Sequence, residues 1–352
     1  MKNGDVIGGY RVITKPNVGG WCTWAFAERG GVRYFIKEFK DPKWPSPTSA
    51  GNEASKAARR AECEEFERRQ RRVTELLNPT AVGGGNLVTA VDFGRFGTTT
   101  YYKITEAIQA ESAGDLTRYT PRQRAVVMRT LCQSIKLLHR ARIVHGDLKP
   151  ENIMLQKASE GDLYTAKLID FDDAYETGDP PPSDEIRGDQ LYVAPEWLRY
   201  VKQDPAVKPA DLTTKTDIFS LGLIFHVYIC GALPEIGGYG LPAEAVWAGT
   251  APRLSPRLHP AMAALLGLML TEKPGDRPRV EDVISRLSDE SVFELAEPAR
   301  TAHPLPAGPS ALPGRPSRIR VNRDIRTDPE PAPIPSRPAA ARGVSRVKKN
   351  FD

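Results

Sequence analysis

Two polar segments constrain this chain more than anything else in it. His145-Gly146-Asp147-Leu148-Lys149-Pro150-Glu151-Asn152 is followed, a hairpin's length later, by Leu168-Ile169-Asp170-Phe171-Asp172. A lone Asp or Asn is usually a turn residue. An Asp, a Lys, an Asn and a further Asp in this order need a scaffold that brings two neighbouring segments side by side. The flanking pattern supplies one. Tyr10 to Phe39 reads as strands broken by glycines, with Gly30-Gly31 as the hairpin turn between WAFAE and VRYFIKEF. Asp41 to Ser55, rich in Pro and Ser, reads as a loop. Cys63, Phe66, Gln70, Val73 and Leu77 then recur at helical spacing on a heavily charged segment. Leu87 to Phe93 and Thr99 to Glu106 read as two more strands. After Gly114 the pattern turns helical: Thr120 is an N-cap, Pro121 takes the first helical position, and Val127, Leu131, Ile135 and Leu138 carry the helix to His139. A small β-rich part followed by a helical part is a two-lobed α+β arrangement.

Composition narrows the class. The 352 residues are 40% hydrophobic and 26% charged with a net charge of only +5, enough for a sizeable core and against disorder of the whole chain. Cys22, Cys63, Cys132 and Cys230 are scattered without a CxxC pair, which argues against a disulfide framework or zinc site and for a reducing compartment. MKNGDVIGGYRV carries no apolar leader, and the longest apolar run, Ile218 to Leu233, is short of a membrane span and fits a buried helix, so a cytoplasmic protein is expected. Residues 297–352 differ from the rest: 11 Arg and Lys against 5 Asp and Glu, and 11 of the 31 prolines. That stretch reads as a disordered basic tail. The surplus of charge belongs to it, so no nucleic-acid partner is expected.

Phosphoryl transfer asks little covalent work of a protein. It needs metal ligands, a group that orients the nucleophile, and positive charge on the phosphates. The two polar segments carry such a set: Asp147 to accept or orient a hydroxyl proton, Asn152 and Asp170 to hold metal, and Lys149 to offset charge on the transferred group. Over residues 10 to 290 the sequence resembles the eukaryotic-like (Hanks-type) serine/threonine protein kinase family. Lys37 in YFIKEF falls at that family's phosphate-binding lysine. Thr105-Glu106-Ala107 resembles its adenine-binding hinge, with Thr105 as gatekeeper. Ala194-Pro195-Glu196 resembles the end of its activation segment, and Asp217 and Gly222 its buried anchoring helix. Arg277 falls where the family pairs an arginine with Glu196. Asn17-x-Gly19-x-x-Cys22 keeps only the middle glycine of the phosphate loop, with Gly20 beside it.

The resemblance implies a bilobal fold with an N-lobe at 1–108 and a C-lobe at 109–296. It also implies an ATP-dependent enzyme using Mg2+ (or Mn2+) to phosphorylate Ser or Thr of a protein substrate. Asp147, Lys149 and Asn152 are its implied catalytic residues. Gly19, Gly20, Lys37, Glu106, Ala107 and Asp170 are implied to meet the nucleotide, and Asn152 and Asp170 the metal. The Ala-, Arg-, Gly- and Pro-rich composition points to a GC-rich bacterial source.

The departures carry their own expectations. Asp172 replaces the glycine of the DFG motif, and its side chain is expected to face solvent. Gly146 replaces the arginine that receives an activation-loop phosphate, so control of that kind loses its receiver. Asp189 stands where a threonine is usual and is expected to meet Lys149 or repel Asp147. Trp24 and Phe35 replace small residues in the adenine roof. Either Glu62 or Glu67 is expected to pair with Lys37. His139, His145, His226 and Cys132 read as packing residues, His145 under Phe171. Crowding by Trp24 and Phe35 leaves a second reading open, a pseudokinase scaffold that binds protein partners with little or no phosphotransfer. Ser317, Thr327 and Ser345 in the tail are candidate autophosphorylation sites that would recruit a phospho-binding partner or a phosphatase. The oligomeric state is left open.

Overall fold

Glycine turns and strand-forming residues build the first half of the chain. In the computed structural model, which describes residues 1–77, 86–113, 116–158 and 161–296, the strands β1 (Val6–Ile7), β2 (Tyr10–Val12), β3 (Asn17–Val18), β4 (Cys22–Arg29) and β5 (Val32–Lys43) come first. Gly30 and Gly31 make the β4–β5 turn with φ of 61° and 78°, which is why both positions suit glycine. Helix α1 (Glu53–Leu76) follows, then β6 (Ala90–Gly94) and β7 (Thr100–Glu106). The sheet runs β1-β2-β4-β5-β7-β6, with β3 on β4. Tyr10, Val12, Ala25, Ala27, Ile36, Tyr102 and Ile104 fill its inner face.

Strand β5 extends past the expected loop start because Lys43 pairs with Thr100 and the Trp44 N–H reaches the Thr99 carbonyl at 2.8 Å. Helix α1 buries Cys63, Gln70 and Val73, as its spacing required. Phe66 joins Phe39, Phe93 and Tyr101 in an aromatic cluster that fastens the helix to the sheet.

The second half is built on α2 (Pro121–Arg140), after the short β8 (Glu111–Ser112). Thr120 and Gln123 form a reciprocal capping box at the start of α2, with Pro121 in the first turn. Beyond β9 (Ile143–Val144), β10 (Ile153–Lys157) and β11 (Tyr164–Leu168) form the hairpin that separates the two polar segments, registered with Ile153 opposite Leu168. The short β12 (Tyr175–Glu176) pairs with β9. Then come α3 (Pro195–Val201), α4 (Lys215–Cys230), α5 (Pro242–Trp247), α6 (Pro260–Met269) and α7 (Val280–Arg286). The long apolar run is therefore α4, buried on nearly every side. Leu131, Ile135, Leu138, Leu221, Phe225 and Leu266 share its core. No described helix is long and apolar enough to cross a membrane. The expected disordered tail, with Ser317, Thr327 and Ser345, lies outside the described residues.

Candidate active site

The hairpin β10–β11 delivers its two flanking polar segments to one place, because the Ile169 N–H bonds the Asn152 carbonyl at 3.0 Å. Asp217 at the start of α4 fixes the first segment from below. Its carboxylate accepts from the His145 N–H at 3.0 and 3.2 Å and lies 3.0 Å from His139 Nε2. The His145 ring packs against Phe171, with centroids 5.1 Å apart and planes tilted by 50°, and meets the Ile169 carbonyl through Nε2, so both histidines are structural, as expected. His226, held by the Ala232 carbonyl and the Ser255 N–H, and the fully buried Cys132 are structural too. Gly146 has φ of +80°, and a Cβ there would lie 2.3 Å from the Asp173 carbonyl oxygen. The close approach of these two backbones leaves no room for a side chain before Asp147.

Asp147 is the hub. Its carboxylate accepts from Lys149 Nζ at 2.7 Å, from Asn152 Nδ2 at 2.9 Å and from the Asp189 N–H at 2.9 Å. Burial would lower the Lys149 ammonium, but its bond to Asp147 raises it, so Lys149 stays charged. The Asp189 side chain accepts from the Leu191 N–H at 3.0 Å and makes no direct bond to Lys149, though its charge helps raise the Lys149 ammonium. Its backbone N–H is what meets Asp147. Behind this wall, Arg277 forks onto Glu196 at 2.6 and 2.8 Å with both groups buried, as the sequence led us to expect.

Across the cleft, Lys37 lies 2.8 Å from both oxygens of Asp170 and 2.7 Å from Asp172 Oδ2. Asp170 holds φ of 63°, an uncommon conformation for a residue with a side chain and one that clusters at functional sites. The expectation that Asp172 faces solvent is overturned: its side chain is 16% exposed and its Oδ1 accepts from Lys103 Nζ at 2.6 Å. Burial would raise the Asp172 carboxyl, yet Lys103 and Lys37 overcome it and hold it below the usual carboxylate range. Asp170, by contrast, is raised by burial and by Asp172, with Lys37 offsetting only part. The Lys37 ammonium, which burial alone would lower, is raised by Asp172 and Asp170.

The expected helix glutamate is not there. Glu67 accepts from the Tyr101 hydroxyl at 2.7 Å and pairs with Arg95, while Glu62 is exposed. The α1 residue that hydrogen-bonds this charged segment is Gln70, donating to the Asp172 carbonyl at 2.8 Å. Gln70 was visible as a polar residue on the helix's apolar face. Lys103 was missed, although a lysine inside a strand as apolar as YYKIT was itself a signal.

Above these charges lies a cavity of about 420 Å3, roofed by Trp24, Phe26 and Phe35 and bounded by Gly19, Lys37, Glu106, Ala107 and Ile108. The Trp24 and Phe35 rings are 5.3 Å apart and tilted by 31°. Gly19 borders the cavity, whereas Gly20 turns its carbonyl to Lys40 at 3.0 Å and is not among the residues bordering it. At the hinge, the Ala107 N–H is already bonded to the Arg33 carbonyl at 3.1 Å.

A lobe of seven-stranded sheet over a helical lobe, with a lysine above and an Asp-Lys-Asn set below, defines the protein-kinase class. Residues 52–286 match the family model for the protein kinase domain, and the chain belongs to that family. Its relatives include MAP kinase-activated protein kinase 2 of Drosophila melanogaster, 31% identical over 47% of this chain and 46% of that protein. Calcium-dependent protein kinase 9 of Oryza sativa subsp. japonica is 32% identical over 47% of this chain and 28% of its own length. Serine/threonine-protein kinase pkn2 of Myxococcus xanthus is 26% identical over 68% of this chain and 27% of its own length. The chain thus spans less than half the length of these relatives. The bilobal fold expected of a Hanks-type serine/threonine kinase stands.

Proposed function

We propose that the chain is a serine/threonine protein kinase that transfers the γ-phosphate of ATP to hydroxyls of a protein substrate. The observation that carries this reading is the Asp147 hub, bonded at once to Lys149, Asn152 and the Asp189 backbone and facing Asp170 and Lys37 across the cleft. Asp147 orients the attacking hydroxyl and takes its proton. Lys149, kept charged by Asp147, offsets charge on the group in transit, and Lys37 steadies the phosphates. Mg2+ is ordinarily held by one or two protein oxygens completed by phosphates and water, rather than by an all-protein cage. Asp170 and Asn152 fit that donor set, and the ion would neutralise phosphate charge there. The cavity volume lies within the usual range for small-molecule sites, which supports nucleotide binding despite the aromatic roof. All four cysteines are free thiols, in keeping with a reducing, cytoplasmic setting.

The test is intact mass with site mapping after incubation with Mg-ATP, and Asp147→Asn as control. Mass gained in steps of one phosphate by the wild type alone is the expected result. No gain, together with no thermal shift by Mg-ATP, would favour the scaffold reading and refute this one. Mapping also locates any sites in residues 297–352.

A further inference from the structure

Lys37 and Lys103 are cross-strand partners, directly opposite each other on β5 and β7. Like charges at such positions repel, and both side chains are nearly buried, at 12% and 9% exposure. Two unpaired ammonium groups in this place would not be tolerated. The reconciling group is Asp172, whose two oxygens divide between them: Oδ2 to Lys37 at 2.7 Å and Oδ1 to Lys103 at 2.6 Å. A glycine at position 172 supplies no carboxylate, and an apolar residue at 103 leaves Asp172 on Lys37 alone. The two unusual residues explain each other.

The bridge also has consequences for the phosphate lysine. Lys37 is held by Asp170 and Asp172, and Asp170 is the residue the proposed function assigns to metal. With Asp170 given over to an ion, Asp172 would be the one carboxylate left on Lys37 among the described residues. Asp172 carries a single charge. If Lys37 alone neutralised it, Lys37 would be drawn into that pair and away from phosphate. Lys103 takes up the other half of the carboxylate, and Gln70 from α1 fixes the Asp172 backbone. Glu67 is committed to Tyr101 and Arg95.

We infer that Lys103 is a positioning residue for nucleotide binding: by sharing Asp172 with Lys37, it sets Lys37 for the phosphates from within the sheet, in place of a carboxylate from α1. The inference rests on the nucleotide reading of this cleft.

Mg-ATP affinity is measured by calorimetry on the full chain, well below each variant's melting temperature. Lys103→Met is expected to weaken binding by about tenfold or more, as for loss of one partner of a buried charge pair. Lys103→Arg should recover most of it, and Glu67→Gln should stay within about twofold of wild type. Equal affinity for Lys103→Met and wild type overturns the inference, and so does a loss in Glu67→Gln as large as that in Lys103→Met. Should Lys103→Met not fold, Lys103→Met/Asp172→Asn removes both charges of the pair. Affinity equal to Asp172→Asn alone supports the bridge; a further tenfold loss refutes it. A wild type that does not bind Mg-ATP fails the proposed function itself, and is distinguishable because every variant is then silent as well.

Discussion

Gly146 offers the sharpest test of how backbone packing shapes this site. Its φ of +80° is a conformation that side chains resist, and the Asp173 carbonyl oxygen lies 2.3 Å from where a Cβ would stand. Gly146→Ala therefore meets two costs. The conformational one is about 1–2 kcal/mol. The second is steric and falls on backbone rather than on a yielding side chain, since Asp173 continues into Ala174 and Tyr175, both buried. Forced shifts of this sort cost about 1–3 kcal/mol. The sum, roughly 2–5 kcal/mol, corresponds to about 2–4 °C of melting temperature per kcal/mol in domains of about 150–250 residues. Gly146→Ala should therefore melt at least about 4 °C lower by calorimetry, and Gly146→Arg, which would restore the family's arginine, no higher than the alanine variant. A Gly146→Ala protein melting within about 1 °C of wild type would refute the argument. The steric reading of the missing arginine would fall with it.

Arg277→Met strands a buried Glu196 carboxylate and should cost about 3–5 kcal/mol by urea unfolding, while Arg277→Met/Glu196→Leu should recover much of that loss. If the double variant is as unstable as Arg277→Met, the penalty lies in packing and not in the unpaired charge. Burial, with Asp172, Asp147 and Asp170 adding to it and Arg187 opposing, pushes the Asp173 carboxyl up to about 7 from an ordinary 3.8. The folded protein thus holds a proton that the unfolded chain has released, and stability falls as pH rises from about 4 to 7. Metal-free Asp173→Asn should match wild type near pH 4 and exceed it in melting temperature at pH 8, and a constant gap across that range would contradict this. Thr120→Ala removes one side of the α2 capping box and should cost about 1 kcal/mol by urea unfolding, with phosphotransfer unaffected.

What the sequence made legible follows from local rules. Thr120-Pro121 states its own helix start, because a cap needs only neighbours a few residues away. The β10–β11 hairpin was implied by two chemically loaded segments at its ends. The Glu196–Arg277 pair was readable through resemblance alone. What stayed hidden depends on register between distant strands. Nothing local says that position 103 falls opposite position 37, since that pairing follows from where β5 and β7 align. With the register unknown, Asp172 looked like a surplus charge beside solvent, and the helix glutamates looked like the natural partners of Lys37.

The same logic explains why these departures belong together. An aspartate for glycine at 172 and a lysine in an apolar strand at 103 each break a local rule, and sites that break such rules tend to be functional. Asp172 alone would compete with phosphate for Lys37; Lys103 alone would be a buried cation facing another. Together they leave one bridging anion between two cations, held below the usual carboxylate range and so charged at neutral pH. Helix α1 then has no need to present a carboxylate, and its glutamates serve elsewhere: Glu67 on Tyr101 and Arg95, Glu65 on Arg68. Two of its arginines, Arg69 and Arg72, also reach Glu185 and Glu176 beyond Asp172. Moving the anchor of Lys37 from the helix into the sheet and the Asp170–Asp172 segment makes its placement depend on strand register and not on the pose of α1.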